Sequence, residues 1–237
     1  MEDKHLQIAQ LVPLDAGFYG ERTSMDTGRK TGRMVLPQHC GRLSLLCFLC
    51  FVGLVAALHV VRPEYDPTSR FISEYALGAY GYLMTMAFFA LGGGTLFLVA
   101  GLSQGLWEGG RSRTGLVLLA LFGICVLVAG TFPTDPKGGP YTLSGELHDV
   151  SAIVGLSSLV LSALVWAFRW RKDAQWHAFA RPALVLALLM LVSLVGFFAS
   201  PSHLQGMTER VLVAMDIIWL CFTAWKVQAM LPSTRPE

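Results

Sequence analysis

Charge is what this sequence lacks most. Asp, Glu, Lys and Arg make up 14% of its 237 residues, against roughly 25% in an average soluble domain. A water-soluble globule needs more charge than that on its surface, so the composition stands against a soluble fold. The charges also nearly cancel: 18 Lys and Arg face 16 Asp and Glu, a net of +2. That is too little to attract a polyanion, and no nucleic-acid partner is expected. Several chemical signatures are missing as well. The chain has no G-x-x-x-x-G-K-[ST] phosphate loop and no H-x-x-x-H or H-E-x-x-H pair.

Apolar residues are abundant instead, at 54%, with a mean hydropathy of +0.53. A bilayer core of about 30 Å takes about 20 helical residues to cross. Six runs approach that length: Leu43–Val61, Tyr80–Leu102, Thr114–Phe132, Val150–Phe168, Ala183–Ala199 and Val211–Leu231. None shows the two-residue alternation of a barrel strand. A helix satisfies its own backbone in lipid, so the expected fold class is all-α: a polytopic membrane protein, a six-transmembrane-helix bundle with short outer loops. Residues 1–39 are polar and read as a flexible cytoplasmic tail, with a short surface helix near Leu6–Leu14. The six-helix membrane domain is expected over 40–232, and 233–237 as a cytoplasmic end. A cleavable signal puts its apolar segment near the N-terminus, followed by a small-residue cleavage site. That pattern is missing here, so the first helix is expected to be retained.

Basic residues give the expected orientation. Only Arg62, Arg70, Lys137 and Arg210 fall on one side. All other Lys and Arg residues fall in the tail, the 103–113 and 169–182 loops, or the C-terminal end. The positive-inside rule then puts both termini in the cytoplasm. The inner loops, with their Trp, Arg and Lys, read as headgroup anchors. Of five cysteines, Cys40 lies at the inner boundary and Cys47, Cys50, Cys125 and Cys221 lie inside helices. No external disulfide is expected, and core packing is the favoured role.

The reactive side chains gather on the outer side. The first outer loop carries Asp66-Pro67, a helix-start signal, followed by Ser73 and Glu74. The second carries Asp135 and then Ser144, Glu146, His148 and Asp149. Ser144 is a candidate cap of the fourth helix, with Glu146 suited to its first turn. His148 has small neighbours on its face, Ser151, Ala152 and Gly155, which point it at the bundle interior. Glu209 and Arg210 open the last helix. Asp216 sits deeper, where a carboxylate is costly and marks a site by default. Arg210 or His148 is the expected partner of Asp216, and Glu74 or Asp135 that of Arg210.

The order Asp66…Ile72-Ser73-Glu74…Gly78, then Phe132-Pro133-Thr134-Asp135, then His148, then Gly206…Glu209-Arg210 resembles the bacterial domain-of-unknown-function family 998. Its members are six-span membrane proteins, and the resemblance covers about residues 43–231. It implies the fold, a place in the bacterial inner (plasma) membrane and importance for Ser73, Glu74, Asp135, His148 and Arg210. It implies no reaction.

Three functional readings compete. The favoured one is an integral membrane protein that binds lipid, or a membrane-protein partner, through the outward-facing polar cluster. The second is a metal-dependent hydrolase of lipid-type substrates, with zinc on His59, His148 and His203 and Glu74 or Asp135 as base. Haem is disfavoured, because His59 and His148 both lie near the membrane boundary. The third is a small transporter with a pathway marked by Asp216 and an interruption at Gly92-Gly93-Gly94. Close helix packing is the plainer use of those glycines.

Overall fold

The computed structural model describes residues 20–106 and 110–230, with side chains from residue 36. The segment proposed as a surface helix near Leu6–Leu14 and the C-terminal residues 233–237 lie outside the described residues. Within them the chain is helical. α1 spans Gly20–Val61, α2 Gly81–Gly105, α3 Arg113–Thr131, α4 Leu143–Trp170, α5 His177–Ala199 and α6 Gln205–Gln228. A single 3-10 turn, Ser73–Ala76, interrupts the first long loop. Each of the six helices contains a stretch long and apolar enough to cross a membrane. The protein is a multi-pass membrane protein.

The boundaries follow from local chemistry. Ser112 caps α3, its hydroxyl accepting from Gly115 N at 3.1 Å. Thr142 caps α4 in the same way, accepting from Gly145 N at 3.1 Å. Such caps stabilise a helix start by about 1 kcal/mol. The cap of α4 is therefore Thr142, and Ser144 instead donates to the Pro133 carbonyl. α1 starts earlier than the apolar run that announced it: the helix carries Pro37 inside it and is continuous from Gly20. Part of the 1–39 stretch read as flexible is thus helical. α2 begins after Tyr80, which takes a left-handed conformation (φ 62°), two residues after Gly78 at φ 74°. Those two positions turn the loop sharply into the helix.

Helices adjacent in the chain pack on one another, and α1 packs on α6, closing a ring. Small residues set the closest approaches. A methyl group on Gly92 of α2 would lie 2.8 Å from the Gly123 carbonyl of α3, while one on Gly93 would meet nothing. The triple glycine is thus a packing surface in a continuous helix. Gly92→Ala is expected to destabilise by about 1–3 kcal/mol through overpacking, and Gly93→Ala to leave the thermal melt of the detergent-purified protein unchanged or raised. Equal effects at the two positions would refute this assignment. Across α3 and α4 the contact is polar as well: the Ser162 hydroxyl donates to the Gly115 carbonyl at 2.9 Å.

At the end of the bundle opposite the first long loop, four tryptophans are wholly buried: Trp166, Trp170, Trp176 and Trp219. Trp170 stacks on Trp176 with ring centroids 4.5 Å apart and on Trp166 at 5.6 Å. The expectation that the loop tryptophans reach for lipid headgroups is corrected for Trp170 and Trp176, which form core. The rings stack on one another there, and their four indole N–H groups are buried without a hydrogen-bond partner among the described residues.

Candidate functional site

The long loop 62–80 is folded down over one end of the bundle and braced there. Arg210, at the start of α6, is the main brace. Its Nη1 donates to the carbonyls of Pro67 (2.9 Å), Arg70 (2.6 Å) and Gly206 (2.9 Å). Its Nε donates to His59 Nε2 at 3.0 Å. His59 can accept there because its Nδ1 faces the Val55 carbonyl at 2.8 Å and holds the proton. Gly206 has no room for a side chain, since a methyl there would lie 2.8 Å from the Pro67 carbonyl. Met207 N adds a bond to the Thr68 carbonyl at 3.0 Å. Arg62 holds the far end of the loop, donating to the Leu77 and Ala79 carbonyls at 2.9 and 2.5 Å. Lys137 ties all three loops of this end together, donating to the Ser69 carbonyl at 3.1 Å and the Ser202 carbonyl at 2.9 Å. The result is a cap built mainly by cations on backbone carbonyls, the strong charge-assisted kind of hydrogen bond.

Glu74, Asp135 and Asp66 serve this cap or its loops. Glu74 is buried, pairs with Arg70 at 2.6 Å and accepts from Phe71 N at 3.0 Å. Its bond raises the Arg70 pKa further. Asp135 accepts from Thr142 N (2.7 Å) and the Thr142 hydroxyl (2.8 Å), which fixes the second loop against α4. Asp66 accepts from the Thr68 and Ser69 hydroxyls, and those bonds hold its pKa down to about 2 from an ordinary 3.8. A carboxylate with a depressed pKa contributes its stability above the ordinary value and loses it as pH falls through the folded value. The 66–70 turn is therefore expected to stay intact from pH 8 down to pH 5 and to loosen only as pH approaches about 2. An NMR titration of the Asp66 carboxyl checks this; a midpoint at or above 3.8 would contradict it.

Beneath the cap lies a cavity of about 80 Å³. One water needs about 10–15 Å³ on this measure, so the space holds several waters or a small ligand group. Its walls come from α1, α2, α3, α4, α6 and the 3-10 turn. Most of the lining is apolar, with Phe51, Phe88, Phe122 and Leu156 as examples. The polar lining is Ser73, His148, Ser151, Glu209 and Asp216. Glu209 Oε2 accepts from Ile72 N at 2.6 Å, so this residue joins the cap to the cavity. His148 is 3% exposed, and its Nδ1 lies 2.9 and 3.0 Å from the Ala129 and Phe132 carbonyls. Those acceptors fix the proton on Nδ1 and leave Nε2 as an acceptor. Asp216, midway along α6, is 2% exposed, and neither carboxylate oxygen has a hydrogen-bond partner among the described residues. A buried carboxylate so placed is normally paired.

A family model described as "Protein of unknown function (DUF998)" matches residues 45–226. The chain belongs to that family. Every cavity-lining residue, from Phe51 to Leu220, falls inside the matched range. No curated protein and no solved structure matches the chain.

In this member of the family, the residues marked from sequence divide into two groups. Ser73, His148, Glu209 and Asp216 meet at the cavity. Asp66, Glu74, Asp135 and Arg210 brace the cap and its loops, as described above. Glu146 and Asp149 are exposed on α4 and join neither group. Two expected pairings are corrected. Arg210 bonds His59 and carbonyls, while Glu74 takes Arg70; and Asp216 bonds neither Arg210 nor His148. The zinc set His59, His148 and His203 is also corrected. Among the described residues no three His, Cys, Asp or Glu side chains stand together as a metal site. His59 has both ring nitrogens engaged, and His203 is exposed on its loop. Sequence reasoning missed Arg62, Arg70 and Lys137 as braces. The i, i+4 spacing of Arg70 and Glu74 was the one available signal.

Proposed function

We propose that the protein binds an amphipathic molecule taken from the membrane, seating it in the cavity under the cap. The observation that carries this reading is Asp216: a buried carboxylate on the cavity wall with no hydrogen-bond partner among the described residues. Intramembrane carboxylates that persist without a partner are costly, and a ligand supplies the missing one. The apolar walls around it suit an alkyl body, with the polar group at His148, Glu209 and Asp216. Membrane lipids are the natural source of such a ligand. The proposed topology places the membrane domain over 40–232 in a bacterial inner membrane, with both termini cytoplasmic and the cap outside. It rests on the uneven spread of basic residues. Hydrolysis through a metal and transport through a broken helix draw less support, since the zinc ligands are apart and α2 is continuous.

The test is to fill the cavity. Ala152→Phe puts a ring into the space beside His148. Native mass spectrometry of the full chain released from nanodiscs is expected to show one amphiphile per wild-type chain and none on Ala152→Phe. An identical adduct on both would overturn the proposal.

A further inference from the structure

Resting on that reading, we infer that the ligand of this cavity carries a cationic amine at its polar end, bound by the Asp216 carboxylate with Glu209 and His148 as flanking acceptors. The cavity is rich in acceptors and poor in donors. Asp216 offers two oxygens with no hydrogen bond. His148 presents Nε2 as an acceptor, because Nδ1 is held by the Ala129 and Phe132 carbonyls. Glu209 lies on the same face of α6 as Asp216, seven residues and about two turns away. Among the described residues no Lys or Arg side chain lines the space. The cavity wall thus supplies no cation to pair with Asp216, and an amine on the ligand would supply one.

Three polar groups can be compared. A carboxylate or phosphate would meet two acidic side chains at close range and be repelled. A hydroxyl brings one donor and no charge. An alkylammonium brings three donors and a full positive charge, and low-dielectric surroundings strengthen that attraction. Phe51, Phe88 and Phe122 on the same walls accept both an alkyl chain and a cation. Asp216 sits midway along α6, so the amine would be held deep in the span with its chain among the helices. This depth favours a membrane amphiphile over a small amine from water.

Equilibrium retention on the full chain in nanodiscs tests this with three probes of one chain length: dodecylamine, dodecanol and dodecanoate. Empty nanodiscs give the background. Dodecylamine is expected to bind at least about 10-fold more tightly than the other two, a difference of about 1.4 kcal/mol. Asp216→Asn is expected to bring dodecylamine down to the dodecanol level, with its helical melt showing that the variant is folded. Butylamine is expected not to compete. Equal retention of all three probes, lost together in Ala152→Phe, would overturn the amine assignment and leave the binding cavity standing. Competition by butylamine equal to that of dodecylamine would overturn the membrane source. No probe retained above background in a manner sensitive to Ala152→Phe would overturn the cavity reading itself, and the amine with it.

Discussion

Arg210→Ala is expected to unseat the cap and to lower stability by about 3–5 kcal/mol. One guanidinium reaches four acceptors: Nη1 shares its two N–H groups among three carbonyls, and Nε donates to His59. A bond from a charged donor is worth about 1.5–3 kcal/mol. Bonds sharing one donor group are not additive, which keeps the total below their sum. Lysine will not substitute, because its single ammonium cannot reach His59 and the loop carbonyls from two separate nitrogens as Nε and Nη1 do. The melt of the purified protein and the rate of proteolysis within residues 62–80 report the two parts of the effect. Arg113→Ala, at the opposite end and exposed, is expected to change stability by less than about 0.5 kcal/mol. Similar melts for the two variants would contradict the assignment of Arg210 as the main brace.

Asp216→Leu is expected to act in the reverse sense, stabilising the bundle while ending ligand binding. Placing an aspartate at the centre of a spanning helix costs about 2.5–3.5 kcal/mol on membrane-insertion scales. Among the described residues no hydrogen bond offsets that cost. The cavity beside it gives the larger side chain room. A gain of about 2–3 kcal/mol is expected in unfolding of the delipidated protein. Delipidation matters because bound ligand would stabilise the wild type by mass action and hide the difference. A destabilised Asp216→Leu protein would show that the carboxylate has a structural partner after all. Residues retained at a cost to stability are the ones whose purpose is function.

The fold was legible because lipid leaves few alternatives. Six apolar runs of near-spanning length admit six helices and little else, and the helices found overlap every run. Their ends were less legible. Nothing apolar marks the start of α1 at Gly20, and its continuation through Pro37 is not a local signal. At the site, residue type and depth singled out His148, Glu209 and Asp216, and the structure places all three on the cavity wall. Pairing did not follow, because partners depend on how the 62–80 loop folds back. Arg210 sits next to Glu209 in sequence, yet its donors turn to carbonyls of that loop. The tryptophans of the 169–182 loop failed for a related reason. Amphipathic rings suit an interface by type, and only the packing of α4 against α6 shows that Trp170 and Trp219 stack at 6.2 Å.

The most direct test of the binding cavity is photo-crosslinking in the native bilayer environment. A dodecylamine bearing a diazirine at its chain end is incorporated into nanodiscs with the full chain, irradiated, and its adducts mapped by peptide mass spectrometry. Adducts are expected on residues that face the cavity, such as Phe122 of α3 and Leu156 of α4, and they should vanish with excess unlabelled dodecylamine. Adducts confined to outward-facing side chains such as Val117 and Val192, undiminished by competitor, would contradict the account.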